Sequence, residues 1–420
     1  MASQAQGNPN YAPAEWPPVV VMGAYRTGVV LMRDLVRRGL TVCCVDSNPE
    51  QYGFRTVYGK AWLCPNPDEQ PEKWLEFMIG LSKKHARKPV LMSSADVFVS
   101  AMAQHAERLA EHFVFVATGA VTQSLLATKK RQYELSDAHG LSAPRTQFVT
   151  NSEEVAAFGR EARFPCLLKP LHFRDWERFP AGHPLLGEKI ALADSPADLA
   201  DKYRLASEAS ADLMVQEIIE GPDTAKLVYL SCYDRTGERI GACMVRELRT
   251  TPVLFGSASV VEPVTDPEAD ALCDGFLRGI GYKGICEIEI KRDTRDGVVK
   301  MIEANPRYSV TADVASYAGV DIGWLHYLDL ISDITGNSVV PVVPSGRDFR
   351  HIVLERDSAT FWGARHAGLL SWGELFRSYR PPLAFFDFDL RDWRLTLSTI
   401  DRVFRNLLSP LVRRVIPRRH

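Results

Sequence analysis

GICEIEIKRDTRDGVVKMIEANPR, residues 284–307, reads as two strands and the turn between them. In the first strand Glu287, Glu289 and Lys291 alternate with Ile288 and Ile290. That period of two sends successive side chains to opposite faces of a sheet. In the second, Met301, Glu303 and Asn305 share one face, and Arg307 follows Pro306. Asp296-Gly297 between them is a hairpin signal, because the favoured two-residue turns need residues that tolerate positive φ. Such a hairpin brings Glu289 beside Glu303 and Asn305. Hard oxygen ligands of this kind suit Mg²⁺, which keeps several positions for water and phosphate. A strand with its polar face turned to solvent gives the same alternation. The carboxylate, amide and guanidinium clustered in Glu-Ala-Asn-Pro-Arg at a strand end favour the ligand reading.

Upstream, the first ~120 residues alternate strand and helix signals, as a parallel α/β domain does. VVVMG (19–23), LTVCCVD (40–46), PVLMS (89–93) and FVFVA (113–117) are apolar runs of the kind buried on both faces of a sheet. Helices are expected over 28–39, 72–84 and 96–110. Beyond residue 123 come a helix carrying Lys129 and Lys130 and a short helix over 152–162. The strand FPCLLKP (164–170) and a polar excursion over 172–188 follow, then a helix over 196–210 and the strand LMVQEII (213–219). Three β-rich runs span 226–262, and a helix is expected over 267–279. Boundaries fall near 125 and 340.

The 420 residues suggest two or three domains. A hydrophobic content of 46% excludes a mainly disordered chain. With 50 Lys+Arg against 52 Asp+Glu the net charge is −2, so no global field recruits nucleic acid. The eight cysteines form no C-x-x-C pair and sit mostly in apolar runs, which speaks against zinc ribbons and suits a reduced, cytoplasmic protein. Residues 1–17 are polar and proline-bearing and are expected to be a disordered leader. No apolar stretch approaches the ~18 residues of a membrane helix.

Three further constellations bear on chemistry. Gly23-Ala-Tyr-Arg-Thr-Gly28 after the first strand, with Asp46 ending the second, imitates a dinucleotide fingerprint. Tyr25, however, stands where a glycine must let backbone approach a pyrophosphate. Lys169 closes an apolar strand, where a cation meets a dry interior or merely snorkels. Gln216 to Asp223 ends a strand in a glycine-proline turn that leaves backbone groups without ladder partners. A purine edge could take those groups while Asp223 accepts from ribose hydroxyls, and an ordinary β corner reads the same way. The tail over 401–420 carries six arginines among Leu, Val and Ile. It reads as a basic amphipathic helix on a membrane surface, or as a docked helix with solvated arginines. The second is preferred because Pro410 and Pro417 interrupt it.

In this order the pieces resemble the ATP-grasp superfamily, and more closely its carboxylate–amine ligase branch, which includes D-aspartate ligase. The resemblance covers residues 18 to 340 and rests on KKRQYELSDAHGLSAPRT, FPCLLKP, VQEIIEGPD, GICEIEIKRDTRDG and MIEANPR. It implies an N-terminal parallel α/β domain (18–124), two α+β subdomains that grip ATP (125–224 and 225–340), and a C-terminal extension (341–420). It further implies that Lys129 and Lys169 bind the nucleotide, that Glu217 and Ile219 form the adenine-reading hinge, and that Asp223 accepts from ribose. Glu289, Glu303 and Asn305 match magnesium ligands, with Mn²⁺ an alternative. Arg307 matches an arginine near the transferring phosphate. Arg246 and Arg249 resemble a basic strand facing the phosphates. Three departures stand out: Thr128 replaces a common aspartate, Glu247 replaces a common lysine, and LHFRDWERFPAGHPLLG replaces a glycine-rich flap.

The implied chemistry is phosphorylation of a carboxylate by ATP, then displacement of phosphate by an amine. The protein's task there is positioning and charge neutralisation. A nicotinamide oxidoreductase lacks its middle glycine. Biotin-dependent carboxylation would need a biotinylated partner, and a regulatory nucleotide-binding module would not need a complete metal set. Arg26 and Thr27, in the first strand–helix turn, are expected to hold the substrate carboxylate. An amino acid or small peptide is the expected substrate, and the tail suits weak membrane-surface contact.

Overall fold

The computed structural model describes residues 15–116, 121, 125, 128–171, 173–188, 190–210, 212–251, 256–366, 368, 370–386 and 388–415. It divides into two compact units. The larger holds Met1–Gln132, Pro222–Ile290 and Glu303–His420, and the smaller Tyr133–Gly221 and Lys291–Ile302.

The apolar runs near the N-terminus become β1 (Val19–Met22), β2 (Val42–Asp46) and β4 (Val90–Ser93). Every residue of β1 and β2 is buried. Each buried valine there contributes about 1.5–3 kcal/mol. The sheet is parallel in the order β3-β2-β1-β4. Its edge strand β3 (Lys60–Leu63) escaped the sequence reading because it is short and half-exposed. FVFVA was expected as a further strand but contributes one parallel bridge, Val114 to Val90, and residue 117 lies outside the described residues. The helix expected over 96–110 is two, Asp96–Gln104 and Ala106–Ala110.

The turn from β1 into the helix Arg26–Arg37 is a steric necessity. Gly23 has φ +94°, and a Cβ on Gly28 would lie 1.9 Å from the Gly23 carbonyl oxygen. Asp46 accepts the Ala24 N–H at 2.7 Å and the Asn48 N–H at 2.9 Å, so its carboxylate closes the turn. The fingerprint-like spacing is therefore accounted for by the turn itself, its glycines and the Asp46 carboxylate that closes it.

In the smaller unit β5 (Thr146–Val149), β6 (Cys166–Pro170), β7 (Ala191–Ala193) and β8 (Leu213–Glu217) form an antiparallel sheet in the order β5-β8-β6-β7. The helices Ser152–Glu161 and Pro196–Ala206 bury Val155, Phe158, Leu199 and Tyr203 in its core. Each helix is N-capped, Asn151 accepting from the Glu154 N–H and Ser195 from the Asp198 N–H, as helix starts require. The excursion expected to be polar is anchored instead. Trp176, Phe179 and Leu185 enter this core, while His172 lies outside the described residues.

The large sheet runs β13-β12-β9-β10-β11-β14-β15. Its members are β9 (Lys226–Tyr233), β10 (Arg239–Thr251), β11 (Ser257–Val264), β12 (Gly284–Arg292), β13 (Val299–Asn305), β14 (Arg350–Ile352) and β15 (Leu383–Phe385). The hairpin between β12 and β13 turns where Asp296-Gly297 signalled it: Gly297 has φ +73° and its N–H donates to the Asp293 carbonyl at 2.8 Å. The hairpin tip belongs to the smaller unit, where Arg295 donates to the Ile218 carbonyl at 2.6 Å and Lys291 to the Gly221 carbonyl at 2.6 Å.

Beyond residue 310 the helices Thr311–Tyr317 and Ile322–Leu330 are largely buried, and β14 and β15 extend the large sheet. Of the expected leader, residues 15–17 are described, and Trp16 stacks on Trp324 with ring centroids 6.0 Å apart. The last helix, Trp393–Val415, runs past Pro410, which does not interrupt it as expected. It docks on the helix Leu354–His366 through polar side chains: Asn406 donates to Ser358, and Arg402 to Glu355. Leu397, Phe404 and Leu408 face outward. The docked-helix reading expected the apolar face inward, which these residues contradict; Arg405 is solvated as it expected, whereas Arg402 is engaged at the contact. Residues 416–420 lie outside the described residues.

Candidate functional site

In the larger unit, β10 to β14 and the loop after β4 surround a cavity of about 490 Å³. Glu289, Glu303, Asn305 and Arg307 all line it, joined by Glu247 and Glu287. The hairpin thus delivers to one space the polar face that alternation assigned to it. Arg307 reaches back to the N-terminal sheet, its Nε donating to Asp96 Oδ1 at 2.6 Å, and its backbone N–H donates to the Asn305 carbonyl at 2.8 Å.

So many carboxylates in one cavity need cations. Lys129 Nζ lies 2.5 Å from Glu303 Oε1. Lys226 Nζ lies 2.7 Å from Glu289 Oε2 and 3.2 Å from Glu247 Oε2. Burial works against the Lys226 ammonium, but Glu289 and then Glu247 outweigh it and hold the amine well above its ordinary value. Burial pushes Glu247 up to about 8, Lys226 opposing and Glu289 assisting. Burial and the Glu289 charge push Glu287 up as well, as desolvated like charges do.

Three expected residues lie elsewhere. Arg249 makes a two-pronged ion pair with Asp357, Nε to Oδ1 at 2.6 Å and a terminal nitrogen to Oδ2 at 2.9 Å, both side chains buried. Residues 247 and 249 of a regular strand share a face, but the β10–β11 register slips between Glu247 and Arg249 and again before Thr250. A bulge re-aims side chains in this way, so Glu247 faces the cavity and Arg249 does not line it. Arg246 instead lies 3.4 Å from Glu262. Arg26 pairs with Glu355, donates to Thr399 at 3.1 Å and lies over the Tyr52 ring at 4.5 Å. It lines a different, smaller cavity, whereas its neighbour Thr27 lines the large one.

Asp223, also in the larger unit, is half-buried and accepts from the Thr250 hydroxyl at 3.0 Å. In the smaller unit Lys169 pairs in register with Met214 near the end of β6. The Glu217 carboxylate is held by Arg163, accepting its backbone N–H at 2.9 Å and its Nε at 3.1 Å. The Glu217 N–H already donates to the Arg145 carbonyl at 2.9 Å. Ile219, two residues on, makes no backbone hydrogen bond among the described residues.

Sequence reasoning missed Lys226, Glu287 as a cavity residue, and the buried pair His351–Asp313. Lys226 opens an otherwise apolar strand, the one signal that was there to be read. His351 lies in a three-residue strand with no pattern of its own.

Among the described residues no group of three or more His, Cys, Asp or Glu side chains is placed to hold a metal ion. The candidate set therefore depends on the Asn305 amide as a third oxygen donor beside two carboxylates. That donor chemistry fits a hard divalent cation.

A parallel α/β sheet, an antiparallel α+β unit and a large sheet with an acidic, arginine-bearing cavity give the chain the fold of ATP-grasp ligases. Its resemblance is to the carboxylate–amine ligase branch. Over 274 residues it is 24% identical to D-aspartate ligase of Enterococcus faecium (strain Aus0004), covering 62% of this chain and 63% of that protein. It thus spans less than two thirds of that relative's length. Among solved structures it is similar to N5-carboxyaminoimidazole synthetase from Staphylococcus aureus complexed with ADP, at a TM-score of 0.61 and 13% identity, over 84% of this chain and 86% of that one. The L-amino acid ligase from Bacillus licheniformis matches at a TM-score of 0.57 and 14% identity, over 78% of each chain. No protein-family model matches the chain.

Proposed function

We propose that the chain is an ATP-dependent carboxylate–amine ligase, forming an amide or peptide bond through an acyl phosphate with release of ADP and phosphate. The observation that carries this reading is the gathering of Glu289, Glu303, Asn305 and Arg307 on one cavity. The similarity to D-aspartate ligase supports it.

A substrate carboxylate oxygen attacks the γ-phosphorus of ATP and ADP leaves. An amine nitrogen then attacks the acyl carbon and phosphate leaves. The protein's part is charge and position. A charge pair 4 Å apart is worth about 1 kcal/mol in water and about 4 kcal/mol near a protein surface, and Arg307 is mostly buried at the cavity wall. It is proposed to neutralise the transferring phosphate. Glu289, Glu303 and Asn305 would hold Mg²⁺ or Mn²⁺, which when bound spreads phosphate charge. Lys129 and Asp223 in the larger unit, and Lys169, Glu217 and Ile219 in the smaller, are the proposed nucleotide contacts. The unused backbone groups of Ile219 support an adenine-reading hinge. Thr27 is the proposed substrate contact on the first helix. The substrates are proposed to be an amino acid or small peptide and an amine. The eight buried free thiols support a cytoplasmic setting, and among the described residues no helix is long and apolar enough to cross a membrane.

The test is Mg-ATP-dependent ADP release against pooled amino acids, small carboxylates and amines, with Glu303→Gln as control. Release that needs one carboxylate and one amine and vanishes in the variant is expected. Release that needs neither, or that persists in Glu303→Gln, would refute the reading.

A further inference from the structure

The second step of such a ligase has a requirement that the residues above do not meet. An ammonium nitrogen has no lone pair, so an amine substrate must lose a proton before it can attack. A cavity lined by Asp96, Glu247, Glu287, Glu289 and Glu303 draws in a cation and favours its protonated form. These carboxylates are themselves engaged. Asp96 holds Arg307, Glu303 holds Lys129, Glu289 and Glu247 share Lys226, and Glu287 accepts from the Ser309 hydroxyl.

His351 is different. It lines the same cavity from β14, 1% exposed overall. Its Nε2 lies 2.7 Å from Asp313 Oδ2, on the helix Thr311–Tyr317. The other oxygen of Asp313 accepts from Arg33, on the helix Arg26–Arg37, and Arg33 Nε lies 3.0 Å from Asp34. Burial would push the Asp313 carboxyl up, but Arg33 and His351 bring it below its ordinary value, so it accepts and Nε2 must donate. A ring that donates from Nε2 alone carries its lone pair on Nδ1, which has no hydrogen-bond partner among the described residues. The rings of Tyr317 and Phe386, 5.8 Å and 6.2 Å away by centroid, hold the imidazole's orientation. A base fixed through its second nitrogen by a buried carboxylate is the arrangement general-base catalysis requires.

Resting on the ligase reading above, we propose that His351 is the general base that deprotonates the attacking amine, with Asp313 and Arg33 as its positioning residues. The nitrogen–carbon bond forms as the carbon–oxygen bond to phosphate breaks. Before the attack Nδ1 takes one proton from the ammonium; as the bond to carbon forms, phosphate leaves with that electron pair and takes the second proton that nitrogen loses.

The experiment separates the two steps. Wild type, His351→Gln and Asp313→Asn are given Mg-ATP and pooled amino acids, once with hydroxylamine and once without it. Hydroxylamine is already unprotonated at neutral pH and traps the acyl phosphate as a hydroxamate without needing a base. His351→Gln is expected to lower amide formation about 10²–10⁴-fold while hydroxamate still forms. Asp313→Asn should follow the same split more mildly, and added imidazole should restore part of the amide yield to His351→Ala. Amide formation at the wild-type rate in His351→Gln would overturn the proposal. So would parallel loss of both products in variants that keep the wild-type melting temperature. Should His351→Gln fail to fold, Asp313→Asn decides by the same two products. Wild type that forms no hydroxamate from any carboxylate would remove the ligase reading itself, and this proposal with it.

Discussion

His326 offers a stability test whose size follows from one cause. It lies in the buried helix Ile322–Leu330, 8% exposed, with no hydrogen-bond partner for Nδ1 among the described residues. Burial alone pulls the imidazole down from 6.5 to about 4. A base with a lowered folded-state value contributes its full stability above 6.5, and that stability is lost as pH falls from 6.5 toward 4. Each unit is worth about 1.4 kcal/mol, so about 1.4 kcal/mol is gone at about pH 5.5 and about 3.4 kcal/mol at the limit. His326→Leu removes the titrating group. Urea unfolding of both proteins at about pH 7.5 and about pH 5.5 gives a double difference in which the other histidines and the packing change cancel. The variant should gain about 1.4 kcal/mol on wild type between the two conditions. A difference between the proteins that does not change with pH would show that His326 titrates in the folded state as it does in water, and the burial argument would fail.

Four other perturbations follow from the same geometry. Gly28→Ala puts a methyl 1.9 Å from the Gly23 carbonyl oxygen, and should cost about 1–3 kcal/mol or more in thermal unfolding; an unchanged melting temperature would refute the turn's steric account. Glu247 is raised from 4.5 to about 8. A raised acid contributes stability below 4.5 that is lost as pH rises toward 8, about 1.4 kcal/mol per unit. Glu247→Gln should therefore gain on wild type with rising pH in denaturant titrations, and a constant gap would contradict it. Arg249→Met strands the buried Asp357 carboxylate and should cost about 3–5 kcal/mol; lost turnover with full stability would instead return Arg249 to the chemistry. Anionic vesicles should sediment the protein in a salt-sensitive way through Leu397, Phe404, Leu408 and the basic residues beside them, and no co-sedimentation at low salt would exclude the surface contact.

What could be read from the chain alone was what period and turn chemistry encode locally. The β12–β13 hairpin, with Glu289, Glu303 and Asn305 on its face, needed only alternation and Asp296-Gly297. β1, β2 and β4 needed only apolar runs. β3 and β14 stayed hidden because an edge strand of three or four residues carries too little burial to mark it. Arg249, expected from the resemblance to face the phosphates, lies off the cavity because a bulge in β10 re-aims it, and a bulge leaves no trace in the sequence. His351 and Asp313 are 38 residues apart in sequence. Nothing in either segment announces a partner that only the packing of a helix against β14 supplies.

Glu247 shows how a departure from a family pattern is absorbed by the sheet. The resemblance to ATP-grasp ligases leads one to expect a lysine there, and an unpaired glutamate would add a buried negative charge beside Glu287 and Glu289. The β9–β10 ladder pairs Arg246 with Leu227 and Val245 with Val228, which sets Glu247 across from Lys226. The ammonium absent from β10 is therefore supplied by the neighbouring strand, 3.2 Å from Glu247 and 2.7 Å from Glu289. The cavity has a cation at this wall, carried on β9. The glutamate taken alone signals a lost site. With its cross-strand partner it is half of a buried ion pair that also places the Lys226 ammonium beside Glu289.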